Sequence, residues 1–212
     1  MSPDVFIAIL GFAVAASITP GPNNLLVMTS GLNHGVAASL RLVAGISFGF
    51  AFMVLAVGLG LGAGIRAHPE LQTAIEAAGL CYMLWLAWKV ATAPTTFEMP
   101  TSDGKTAARP LSALAGAAFQ WVNPKAWAIA LSATAAFSTS GGEPSRLLWL
   151  AGIFAVVAFA ALTIWAAFGG ALRRFVDNPR AIFAFNIAMA LLLVASAAPF
   201  AYDLARDVLR SA

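Results

Sequence analysis

Charge is what this sequence has least of. Of its 212 residues only 10% are Asp, Glu, Lys or Arg, while 60% are hydrophobic. A soluble domain carries about 25% charged residues and about 45–50% apolar ones. A surface this poor in charge does not stay dissolved, and a mean hydropathy of +0.84 makes lipid the natural solvent. The formal charge is +3, but the 12 Lys and Arg are scattered among apolar runs and form no basic stripe. That argues against a nucleic-acid partner.

Cysteine is nearly missing. Cys81 stands alone, which excludes an internal disulfide, a CxxC redox pair and a thiolate cluster. It reads as a small buried apolar residue of a helix. His34 and His68 fall near expected loops with no ligand-like spacing, so neither a metal nor a cofactor is expected. No long apolar stretch contains a histidine or a second cysteine, which leaves a membrane enzyme without a nucleophile and base. No catalytic residue is assigned. Met1 to Asp4 has no Lys or Arg, so Ala13-Val14-Ala15 is not read as a signal-peptidase site, and the first apolar stretch is expected to stay.

What the chain does have is spans. A membrane-crossing helix needs about 20 apolar residues, and six stretches qualify, at approximately 4–30, 41–65, 71–92, 111–139, 146–170 and 181–202. The expected fold is an all-α integral membrane protein of six transmembrane helices, one domain over residues 1–212. A polar linker, 93–110, separates half-repeats at approximately 1–92 and 111–208. Three helices per half is an odd number, so the second half enters from the opposite side. A 3+3 inverted repeat follows if the halves share a fold. The Lys/Arg bias sets the orientation. Arg41, Lys89, Lys105, Arg109, Arg173, Arg174 and Arg180 lie on one side; Arg66, Arg146, Arg206 and Arg210 lie on the other. The richer side is expected to be cytoplasmic, with both termini outside. Gly45 and Gly49, with Gly58, Gly60, Gly62 and Gly64, read as close-packing positions between helices. Trp85, Trp88 and Lys89 read as an interfacial belt, and Asn186 as an interhelical hydrogen-bonding residue.

The first and fourth stretches are broken, at Pro20-Gly21-Pro22 and at Asn123-Pro124. Proline cannot continue a helix but suits the first position of a new one. Gly21 and Asn123 therefore become caps, and Pro22 and Pro124 each open a half-helix inside the bilayer. Such an end bears unsatisfied N–H groups and about +0.5 of a charge. Irregular backbone at that depth survives only inside protein or beside a wet cavity. Two such ends meeting near the midplane suit a carboxylate.

Lys125 sharpens this reading. A cation in a helix's first turn costs about 0.3–1 kcal/mol, and burial at membrane depth costs about 2.5–3.5 kcal/mol more. It needs a partner: either backbone carbonyls of a neighbouring helix or a substrate carboxylate. Glu76 and Asp203 are the acidic residues nearest the spans, and both are expected at membrane ends. The candidate substrate-binding residues are Thr19, Pro20, Gly21, Pro22, Asn23, Asn24, Gln120, Asn123, Pro124 and Lys125. For the polar ones, satisfying freed backbone is an equal alternative. A secondary transporter fits two breaks at one midplane. The competing readings are a carrier of another small solute or ion, a membrane enzyme, and an accessory subunit without substrate.

Thr19-Pro20-Gly21-Pro22-Asn23-Asn24 resembles the first-helix motif of the LysE/RhtB family of amino-acid exporters. Asn123-Pro124-Lys125-Ala126 resembles the matching fourth-helix motif, and Gly79 with Tyr82 to Lys89 resembles the third helix. Ala87 stands where many members have glycine. The cysteine and O-acetylserine exporter branch is resembled most, through Asn33-His34-Gly35, Trp85 to Lys89 with Thr92-Ala93-Pro94-Thr95, and Phe119 to Asn123. The resemblance implies efflux of an amino acid or close derivative across the inner (plasma) membrane, driven by protons. Lys125 is the group at the breaks able to carry one. Association into a homo-oligomer is left open.

Overall fold

The computed structural model describes residues 2–92, 111–137, 144–172 and 178–211, and every regular element among them is helical. The linker at 93–110, with Lys105 and Arg109, lies outside the described residues, as do Arg173 and Arg174. In chain order the helices are α1 (Pro3–Ile18), α2 (Pro22–His34), α3 (Val36–Ala56), α4 (Gly62–Ala67), α5 (Pro69–Ala91), α6 (Ala113–Phe119), α7 (Pro124–Phe137), α8 (Pro144–Leu172) and α9 (Pro179–Ser211). A π-turn (Val57–Leu61) joins α3 to α4, and a 3-10 turn (Gln120–Val122) ends α6. Six of these helices start on proline, whose fixed φ and missing N–H suit a helix's first residue.

Among the described residues, three helices are long and apolar enough to cross a membrane: Val36–Ile65, Thr73–Ala91 and Ser145–Leu172. A fourth candidate is α1 with α2, bent by 57° at the first break. Among the described residues, the remaining two of the six expected stretches give shorter apolar helices. Asn123-Pro124 cuts the fourth stretch, leaving Ala113–Val122 before it, and in α9 the described apolar part is Phe183–Ala198.

Helix packing is built on small residues. A Cβ on Gly45 would lie 2.0 Å from the Ala113 carbonyl oxygen, and one on Gly49 2.5 Å from the Ala117 Cα, so α3 and α6 touch backbone to backbone. Gly31 and Gly169 bring α2 and α8 together equally closely: a Cβ on either would fall 2.0 Å from a carbonyl oxygen of the other helix. Not every glycine serves packing. Gly60 sits in the π-turn at φ 125°, with nothing near its missing side chain. Gly64 also has nothing within 4 Å.

α8 lies against α1, α2 and α3; α5 lies against α9. One apolar core joins α1, α3, α7 and α8 around Ile9, Phe50, Met53, Trp127 and Phe154. A second joins α2, α5 and α9 through Leu25, Met28, Leu86 and Leu193. The outer faces are apolar too: Phe48, Leu59, Leu114, Val156 and Ile164 are all exposed, as a lipid-facing surface requires. Trp85 and Trp88 are exposed, and the Lys89 ammonium lies 5.7 Å from the Trp85 ring. Asn186 is buried in α9. Cys81 departs from expectation. It is exposed on α5, because the buried face of that helix passes through Gly79, Met83, Leu86 and Ala87 instead.

Candidate functional site

At the first break, α1 ends where the Thr19 N–H and hydroxyl both turn back to the Ala15 carbonyl, at 3.1 and 2.6 Å. Pro20 has no N–H to continue the ladder. Gly21 is extended and α2 restarts on Pro22, without a side-chain cap. The Asn24 amide donates to the Ser17 carbonyl at 2.8 Å, which ties the new helix to the end of the old one.

The second break is assembled similarly. The chain tightens through the 3-10 turn, and Asn123 then caps α7: its side-chain oxygen accepts the Lys125 N–H at 3.1 Å. The Trp127 indole donates across the break to the Trp121 carbonyl at 2.9 Å.

The two breaks meet each other. Asn23 and Gln120 exchange two amide hydrogen bonds, at 2.9 and 3.1 Å, and Gln120 is fully buried. The Lys125 ammonium donates to the Thr19 carbonyl and lies 3.4 Å from that of Pro20. Its side chain runs across Gly21, where a Cβ would fall 2.8 Å from the Lys125 Cδ. The cation that begins α7 thus sits at the negative end of α1, where the dipole favours it. Of the two partners left open by the sequence, backbone carbonyls hold it in this conformation. Pro124 packs on α5 at Gly79, where a Cβ would lie 3.0 Å away.

A cavity opens beside this junction, with a free volume of about 40 Å³, room for about three waters. Ser17, Asn23, Asn24, Asn123 and Lys125 form its polar side; Ile46, Phe50, Ile129, Phe154 and Leu162 form an apolar wall. Four of the ten expected residues therefore line it. Gly21, Pro22, Gln120 and Pro124 are buried in the break itself, and Thr19 and Pro20 are exposed. Ser17 and the apolar wall were not among the expected residues, since Phe50 and Phe154 look like any core pair. Their rings meet edge to face at 5.3 Å.

A second cavity, of about 80 Å³, lies between α5 and α7, lined by Ile65, Ile75, Glu76, Pro124, Trp127, Ala128 and Leu131. Glu76 is the fourth residue of the apolar span Thr73–Ala91. It precedes Gly79 by one helical turn, about 4.5 Å along the axis, and shares this lining with Pro124.

A family model described as LysE type translocator matches residues 14–204. The chain is 33% identical to a cysteine/O-acetylserine efflux protein of Escherichia coli (strain K12) over 198 residues, covering 92% of this chain and 96% of that protein. The same figures hold for the protein of that description from Shigella sonnei (strain Ss046). The one from Escherichia coli O139:H28 is 32% identical over the same shares. No solved structure matches the chain.

Proposed function

We propose that this chain, which belongs to the LysE type translocator family, exports a small neutral amino acid or derivative of the cysteine and O-acetylserine kind across the inner membrane. The observation that carries the reading is the meeting of two broken helices at a cavity with one polar and one apolar side. Lys125 is the one charged group in its described lining. A substrate carboxylate would take the Lys125 ammonium from the α1 carbonyls and accept hydrogen bonds from the asparagine amides and the starts of α2 and α7. The side chain would lie on Phe50, Ile129 and Phe154. The described lining contains no carboxylate to hold a second positive charge, which favours neutral substrates over lysine or arginine.

Exposing this site to each side of the membrane in turn calls for the breaks to hinge. A six-span reading treats α6 with α7 as a broken span like α1 with α2. The pairings of α3 with α8, of α5 with α9, and of α3–α6 alongside α1–α8 are those an inverted repeat generates. Lys/Arg bias supports both termini outside, and export against a gradient calls for a coupling ion, for which we take the proton.

Uptake into inverted membrane vesicles carrying the full chain tests this. With a pH gradient imposed, cysteine or O-acetylserine should accumulate well above vesicles lacking the protein, and lysine and arginine should not. Accumulation of neither neutral solute would remove the reading.

A further inference from the structure

Export driven by protons needs a group that takes one up and gives it away, and the substrate cavity contains no carboxylate in its described lining. The second cavity does. Of the nine acidic residues, Glu76 is the one within a described apolar span, as the fourth residue of Thr73–Ala91. Asp4 and Glu70 lie in first helical turns, and the others fall before α8, in the segments joining helices, or near the C-terminal end of α9.

The geometry of α7 links this carboxylate to the substrate site. At about 100° per residue, Lys125, Ala126 and Ile129 occupy one face of α7, the face that lines the first cavity. Pro124, Trp127, Ala128 and Leu131 occupy the opposite face and line the second. The half-helix is thus a wall with an ammonium on one side and a carboxylate on the other. A charged Glu76 beside Pro124 is attracted by the positive end of α7; a neutral one is not. Protonation therefore changes how firmly α7 is held to α5, and movement of α7 opens or closes the substrate cavity on its far face. Differential affinity of this kind is what a coupling ion needs to bias a two-state equilibrium.

We propose that the second cavity is the proton site of the exporter and that Glu76 is the residue that takes the proton, exchanging it for substrate through movement of α7. The inference rests on the transport reading above. Charged residues on the elements packed against α5 are Arg66 on α4, Lys125 on α7, and Arg180, Asp203, Arg206, Asp207 and Arg210 on α9. His68, Glu70, and Lys89 belong to the ends of α5. Of the described residues lining this cavity, Glu76 alone is charged.

The test uses the full chain in proteoliposomes, with radiolabelled O-acetylserine measured two ways. Counterflow, with substrate on both sides and no pH gradient, reads binding and alternation; accumulation under an imposed pH gradient reads coupling. In Glu76→Gln the ratio of driven accumulation to counterflow should fall at least tenfold, and Glu76→Asp should restore coupling with a displaced pH profile. An unchanged ratio in Glu76→Gln overturns the inference while leaving the transporter intact. So does loss of counterflow in both variants, which would mark a merely structural residue, and so does driving by a sodium gradient in place of protons. Absence of counterflow in the unaltered protein would sink the transport reading, and this inference with it.

Discussion

Lys125 and Gly21 must be considered together. The lysine lies across the glycine, so a methyl group there collides with the far, flexible part of a side chain and not with backbone. Gly21→Ala should therefore leave stability nearly unchanged, within about 1 kcal/mol, yet pull the ammonium from the α1 carbonyls and lower transport severalfold. Thermal unfolding in detergent and vesicle uptake separate the two effects. Lys125→Gln removes the cation and should reduce uptake at least tenfold. Lys125→Arg keeps the charge but loses the compact ammonium; it should reduce uptake while preserving the pH profile. A changed profile would instead assign proton transfer to Lys125. The Asn23–Gln120 pair is a different case. Gln120 is fully buried, and truncating either partner strands the other, at a cost of about 1–3 kcal/mol. Either Ala variant should destabilise by that order, and the double variant by less than the sum, as a thermodynamic cycle would read.

At the scale of helices, glycine position decides tolerance. Gly31→Ala drives a methyl group into the α8 backbone and should prevent stable folding; the methyl of Gly11→Ala meets nothing within 4 Å and should be silent. Expression and melting of the two variants compare them directly. These elements also mark what could be read in advance. The breaks were legible because proline and glycine act locally: Pro22 and Pro124 open helices wherever the chain goes next. That the breaks would meet follows from their matching places in the two halves; that Asn23 and Gln120, 97 residues apart, would pair across them was not legible. Nor was the apolar wall of the cavity, since facing depends on which helix crosses which. Cys81 was misjudged for the same reason, since an all-apolar helix does not declare its buried side.

At the scale of the whole molecule, the exposed faces carry many large apolar side chains, Leu59, Leu114, Val156 and Ile164 among them, and lipid must cover them. The sequence's charge asymmetry gives a check on how the molecule sits. An epitope tag at either terminus should be reachable by antibody on spheroplasts without permeabilisation; labelling only after permeabilisation would reverse the orientation. The site itself needs both halves of the chain, since Thr19 and Asn23 belong to one and Gln120 and Lys125 to the other.

A single residue, Gly35, separates α2 from α3, at φ 80°. Its N–H closes α2 on Gly31, its carbonyl accepts from Ser39, and the Ser30 and Ser39 hydroxyls lie 2.8 Å apart across the corner. There is no slack in this joint, so α2 and α3 travel as one stiff lever. Whatever flexing happens at Pro20-Gly21-Pro22 must either swing α1 alone or carry the entire second span with it.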